Sequence, residues 1–255
     1  MLPDEFRYWS MARGVRVPRP FHLRWALPFF VGDEVRHWRW VQWTSLACLC
    51  WLTSVWTGIW WTGLLPLGLS GVTFNLRHPM LVDLPAMVFA LGAAVASKHD
   101  LWWLALTLVV IGSTVNETVA PFAAVYAWNP LLLVGLVPVA IRAVLRSGPD
   151  PIPDGPAHDA LVHPVRVSWE HHKQLSLWVY VLPWGVLLAA LADPSPQLWV
   201  ALGVAYAQLL VDTDAVRLYV WAMPVMAACA APVLGPWAAL AVVLHLANPF
   251  KTEGV

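Results

Sequence analysis

The chain reads as an all-α, polytopic integral membrane protein, with roughly eight to nine transmembrane helices behind a polar N-terminal juxtamembrane segment. Three observations carry this expectation. Charged residues fill 12% of the 255 positions, about half the share of a soluble domain, while hydrophobic residues reach 59% and mean hydropathy is +0.63. From Trp40 to Leu76 no charged residue occurs. Many of the 18 tryptophans sit near the ends of apolar runs, as the aromatic belts of a membrane interface require.

Residues 1–39 form the polar, aromatic and Arg-rich segment. Glu5 to Ala12 predicts a short amphipathic helix on the membrane surface, with Phe6 and Trp9 three residues apart. Val15 to Pro20 is excluded from regular helix, because Pro18 and Pro20 lack donors and bias their neighbours to extended backbone. Residues 40–146 make a first transmembrane bundle. At about 1.5 Å per residue, 40–76 is too long for one span and short for two. A tight helix pair breaking near Thr57-Gly58 or Gly63 fits it, closed by Arg77-His78-Pro79. Met80 to Ser97 is the next span, with Asp83 just inside its start, and Lys98-His99-Asp100 is a polar turn. Leu101 to Val115 returns. Val119 to Ile141 crosses again as one span, closed by Arg142 and Arg146.

Residues 147–173 read as a polar loop, Pro- and Gly-rich from Ser147 to Pro156. Residues 174–255 form a second bundle. Its spans run from Leu175 to Ala192 and from Leu198 to Val211, followed by two short helices divided near Pro232 to Pro236. No internal repeat is visible.

Net charge is zero, which gives no bulk attraction for nucleic acid. Cys48, Cys50 and Cys229 lie inside apolar runs and read as small buried hydrophobes. The polar start lacks the pattern of a cleavable signal peptide. The orientation stays open. Seven arginines before residue 40 favour a cytoplasmic N-terminus, whereas an outside N-terminus would put Lys98, Arg142, Arg146, Lys173 and Lys251 in the cytoplasm.

Asp4 and Glu5 are the first candidates for chemistry. They suit a general base, or a ligand pair for a divalent cation (Mg or Mn); equally, they suit carboxylates at a helix N-terminus. Asp83 and Glu117 border apolar runs, where ionisable groups are costly and are usually partnered or functional. A hairpin of 80–97 and 101–115 would return both acids to one membrane face, beside Arg77 and His78. The early arginines with Arg77 could hold a phosphate or pyrophosphate through their bidentate forks, or attract anionic lipid headgroups. Asp212, Asp214 and Arg217 read as a solvated turn. His171 and His172 read as loop residues. No P-loop, dinucleotide fingerprint or nucleophile elbow occurs.

The run Asp4-Glu5, Tyr8, Met11-Ala12, Gly14, then Pro20-Phe21 and Arg24-Trp25-Ala26-Leu27-Pro28, resembles the first external loop of GT-C-type polytopic membrane glycosyltransferases. Arg77 to Asp83 resembles the acid that these enzymes carry at the outer start of a helix. Asn116-Glu117-Thr118 resembles their (Lys/Arg)-Glu-Thr element, and Asp212 to Pro224 their Asp-x-x-Arg then Pro pattern. The resemblance implies transfer of a sugar from a polyprenyl-phosphate donor at the outer face of the plasma (inner) membrane, among membrane lipids and beside a partner membrane protein if one is needed. It implies Asp4 or Glu5 as base, and a site formed by Tyr8, Arg24, Arg77, His78, Asp83, Glu117 and Arg217. Two departures stand out: no transmembrane helix precedes the acidic loop, and Asn116 replaces a cation. From the residues alone, a non-catalytic module that binds lipid headgroups or a partner, and a small transporter using Asp83 and Glu117, remain alternatives.

Overall fold

The computed structural model describes residues 2–145, 148–152, 155–192, 195–210 and 215–248, with the side chains of Ser70 and residues 215–220 set aside. Within them every regular element is helical. One stretch, Trp221–Leu246, is by itself long and apolar enough to cross a membrane: 26 residues at a mean hydropathy of 1.9. Trp102–Val115, Pro130–Ala143 and Leu182–Ala192 are apolar but shorter.

Helix α1 (Pro3–Ala12) opens on a proline, whose missing donor costs nothing in a first turn. It was expected on the surface, but Glu5, Arg7, Tyr8 and Ser10 are buried, so it is a packed element. The polar side chains find partners in segments far along the chain, and that is why the helix enters the body. After a 3₁₀ turn at Phe21–Leu23 and α2 (Ala26–Val31), α3 (Val35–Thr57) runs away from this N-terminal end. It stops at Gly58, which takes the left-handed conformation (φ 75°) that glycine adopts without penalty.

The return combines a 3₁₀ stretch, Trp60–Gly68, with α4 (Ser70–Arg77). Gly63 makes the close fit possible: a Cβ there would lie 2.2 Å from Ser54 Oγ and 2.5 Å from the Cys50 carbonyl oxygen of α3. Helices α5 (Asp83–Lys98) and α6 (Trp102–Val115) form the expected hairpin, its turn at Asp100 (φ 59°). At the far end Lys98 Nζ donates to the Trp56 carbonyl at 2.8 Å.

Val119 to Ile141 is not a single span. Helix α7 (Val119–Ala127) ends at Trp128 in the left-handed region (φ 51°), and Asn129 accepts from the Leu131 amide as Pro130 starts a 3₁₀ segment leading into α8 (Leu136–Ala143). The chain thus reverses at 128–130. Arg142 comes back to the N-terminal end, where its Nε donates to the His22 carbonyl at 2.5 Å. That reversal removes the expected single crossing, which would have put Arg142 at the far end with Lys98.

Residues 147–173 are more than a loop, since α9 (Pro156–Val162) and α10 (Pro164–His172) lie within them. His171 and His172 end α10, where His172 Nδ1 meets the Tyr180 hydroxyl at 2.7 Å. The 3₁₀ segments Leu177–Tyr180 and Leu182–Ala192 follow, the second kinked at Gly185. Helices α11 (Pro196–Ala207), α12 (Ala215–Leu234) and α13 (Ala238–Leu246) complete the chain. Gln197 ties α11 to the far end through the Val125 and Tyr126 carbonyls.

The centre of the core packs small residues around α5 and α7, with Ala86, Ala90, Ala93, Ala94, Ala120 and Ala123 fully buried. The perimeter is apolar. Helix α8 buries no residue, and Trp103 and Val144 are more than four-fifths exposed. Most exposed tryptophans lie toward the two ends, Trp40, Trp169 and Trp178 near the N-terminal end and Trp60, Trp102, Trp103, Trp128 and Trp199 at the far end, while Trp43 and Trp51 lie along α3 and Trp237 just before α13.

Candidate functional site

The polar side chains of the N-terminal end are built from five places in the sequence: α1, the segment 20–24, the start of α5, the 116–118 turn and the strip 148–164. Arg24 lies at its centre. Its Nε and Nη2 grip the Glu117 carboxylate at 2.8 and 2.5 Å, and its Nη1 donates to the Tyr8 hydroxyl at 3.0 Å. Burial works against the guanidinium charge, yet Glu117 and Tyr8 beside it hold the pKa of Arg24 well above its ordinary value. Tyr8 is 1% exposed, and burial pushes its phenol upward against the pull of Arg24, with Asp4 and Asp83 pushing the same way.

Arg7 forms the second ion pair, with Asp150, a residue 143 positions away. Nε reaches Asp150 Oδ1 at 3.1 Å and Nη2 reaches Oδ2 at 2.8 Å; the two side chains are 2% and 3% exposed. Nη2 also donates to the Ala157 carbonyl, and Nη1 to Asp4 Oδ1 at 3.3 Å. Asp150 further accepts from the Ile152 amide and meets His158 Nδ1 at 3.3 Å. Phe21 lies between the two pairs, its ring centroid 5.0 Å from the Arg7 guanidinium and 5.8 Å from that of Arg24.

Asp4 and Glu5 part company. Successive helical residues point about 100° apart, and here Asp4 joins Arg7 while Glu5 turns inward. Glu5 accepts from the Leu2 amide at 2.9 Å and the Met80 amide at 3.4 Å, and meets His78 Nδ1 at 3.3 Å. They do not form a common ligand pair. Among the described residues no group of three His, Cys, Asp or Glu side chains could hold a metal ion.

Asp83 opens α5, 3% exposed, and accepts from Asn116 Nδ2 at 3.1 Å. Asn116 Oδ1 accepts in turn from the Thr118 amide and hydroxyl at 3.1 and 2.9 Å. Asn116 thus orients both Asp83 and the turn that carries Glu117, a task a lysine or arginine could not perform, having no acceptor. Gln42 of α3 fixes the other approach to Asp83 by donating to the Pro79 and Leu81 carbonyls at 2.8 and 2.6 Å. Arg77 is exposed at the end of α4. The Arg217 side chain lies outside the described set, and so do Asp212 and Asp214.

A cleft of about 500 Å³ opens over these groups. Asp4, Arg7, Arg24 and Glu117 line its charged wall, while Phe21 and Leu161 contribute apolar surface. Asp4 is a quarter exposed there. Sequence reasoning counted Arg7 only among the early arginines, and missed Asp150 and His158. A carboxylate inside a Pro-rich run gave no sign of burial, and only the folding of 156–172 onto α1 makes it a partner. Comparisons with family models, with curated proteins and with solved structures gave no match to this chain.

Proposed function

We propose that the chain is a polytopic inner-membrane protein whose N-terminal cleft transfers a group, a sugar by its GT-C resemblance, from a polyprenyl-phosphate-linked donor. The observation that carries the reading is the convergence of Asp4, Arg7, Arg24 and Glu117 on one cleft at the end of a bundle with an apolar perimeter. A surface so rich in exposed apolar side chains exceeds what a soluble monomer leaves uncovered, and tryptophans at both ends fit two interfaces. Several crossings are composites, which is why length alone does not single them out. Trp60–Gly68 as 3₁₀ and Ser70–Arg77 as α-helix together climb roughly 30 Å, a hydrocarbon thickness.

In the chemistry proposed, an acceptor hydroxyl oxygen attacks the anomeric carbon of the donor. Its proton passes to the Asp4 carboxylate, and the bond to phosphate breaks with its electron pair on the phosphate oxygen. Arg24 has five N–H donors, of which Glu117 and Tyr8 occupy three, so two remain to face the leaving phosphate. Glu117 and Tyr8 fix the plane of that guanidinium. Asp83 acts through Asn116 on the turn of Glu117.

One observation favours a second reading. Arg13, Arg16, Arg36, Arg39, Arg142 and Lys173 all sit at the cleft end, and Lys98 at the other. By the positive-inside rule the cleft then faces the cytoplasm, whereas the resemblance implies the outer face. A non-catalytic headgroup-binding module accommodates that orientation. Proteoliposomes supplied with labelled polyprenyl-phosphate sugar separate the two. Transfer by the wild type, lost at least a hundredfold in Asp4→Asn with unchanged unfolding, supports the enzyme. Wild-type rates in Asp4→Asn, or a folded wild type with no transfer, sink it.

A further inference from the structure

A second pocket, of about 540 Å³, lies beside the cleft, between the chain after α1, the 3₁₀ turn, α2 and the end of α8. Among the described residues no carboxylate lines it, but Arg16 and Arg142 do. The Arg142 guanidinium is anchored by the His22 carbonyl and stands 5.2 Å from the centre of the Trp25 ring. His22 also lines the pocket. It is 6% exposed; the Arg142 backbone interacts with the ring, but neither ring nitrogen makes a hydrogen bond of normal geometry. A buried imidazole left so carries an unmet desolvation cost, which a ligand oxygen would relieve. Burial lowers the pKa of His22, keeping a neutral ring with one donor. The rest of the wall is apolar, with Phe29 and Leu145 70% and 51% exposed. Gly148 closes one side: its amide donates to the Val17 carbonyl at 3.0 Å, and a Cβ there would meet the Arg16 backbone at 2.5 Å.

We propose that this pocket binds a phosphate-headed amphiphile, the phosphate held by Arg142, Arg16 and the His22 ring and the apolar chain lying along Trp25, Phe29 and Leu145. The charge arithmetic distinguishes it from the cleft, where Asp4 and Glu117 offset Arg7 and Arg24; here two guanidiniums stand with no carboxylate among the described lining residues. The volume exceeds what a bare phosphate needs, and small-molecule pockets run to about 300–1,000 Å³. The inference is independent of group transfer and holds for a headgroup-binding module as well.

Calorimetry on the full chain in detergent tests it, with four probes: farnesyl phosphate, short-chain phosphatidylglycerol, farnesol and inorganic phosphate. One or both phosphate amphiphiles should bind, the tighter naming the source as an isoprenoid phosphate or a bilayer phospholipid. Farnesol and inorganic phosphate should bind at least tenfold more weakly. Arg142→Gln should weaken the amphiphile at least tenfold, because a charge-assisted contact is lost, and the exposed Arg16→Gln about fivefold. Arg13→Gln, at the same end but paired with Asp33, is the control that should bind normally. If Arg142→Gln fails to fold, Arg16→Gln and His22→Leu still decide. Unchanged affinity in both overturns the proposal, as does equal binding of inorganic phosphate or farnesol.

Discussion

Replacing Arg7 by Met strands Asp150, a carboxylate 3% exposed that keeps only the Ile152 amide and His158. Breaking a buried pair by removing one partner costs about 3–5 kcal/mol, and the two surviving contacts put this variant near the lower figure. Asp150→Leu leaves Arg7 with Asp4 and the Ala157 carbonyl, for about 2–3 kcal/mol. The double variant removes both buried charges, so its cost should fall about 2–3 kcal/mol short of the sum of the singles. Graded SDS unfolding of the four proteins in mixed micelles measures that difference. Proteolysis supplies an independent reading: in either single variant, cleavage between 148 and 163 should speed up, since Asp150 ties this strip to α1. Additivity within about 0.5 kcal/mol would refute the assignment of Arg7–Asp150 as the clamp.

Acid should act through the same pair. Burial alone would raise the Asp150 pKa, but the Arg7 hydrogen bonds, the Ile152 amide and His158 bring it below 3.8. A depressed folded pKa contributes stability that is present above 3.8 and lost as pH falls through the folded value. Unfolding midpoints followed from pH 7 downward should therefore hold until below about 4 on this account, and this acid loss should shrink in Arg7→Met, where no guanidinium holds the Asp150 pKa down against burial. Gly63→Ala should destabilise by about 1–3 kcal/mol in the same unfolding assay, because its methyl meets a backbone carbonyl that cannot move aside. A neutral effect there would mean that α3 and the 60–68 segment are not in close contact.

The helical class and most turns were legible because they rest on local chemistry. Gly58 and the Lys98-His99-Asp100 turn sit where composition puts them. The reversal at Trp128-Asn129-Pro130 was harder to read. It is carried by one residue in the left-handed region and one Asx-type contact, inside an apolar run that hydropathy smooths over. That one turn decides which end receives Arg142, and with it the charge asymmetry of the molecule. In the site, Asp83 and Glu117 were named from their type and their edges of apolar runs, Arg24 as one of the early arginines and Tyr8 by the resemblance; Arg24 meets Tyr8 and Glu117, while Asp83 meets Asn116. The Arg7–Asp150 pairing escaped because it depends on tertiary folding across 143 residues. Asn116 was read as a missing cation, while its fold-level task needs an amide that donates and accepts together.

Cysteine accessibility in intact cells tests the central claim most directly, that a charged cleft lies at one membrane face of a spanning bundle. With Cys48, Cys50 and Cys229 replaced by alanine, a single cysteine at Arg16 and another at His99 would be probed with a thiol reagent that cannot cross the membrane. The account predicts that one site reacts from outside and the other only after the membrane is opened. Modification of both from the same side would contradict it.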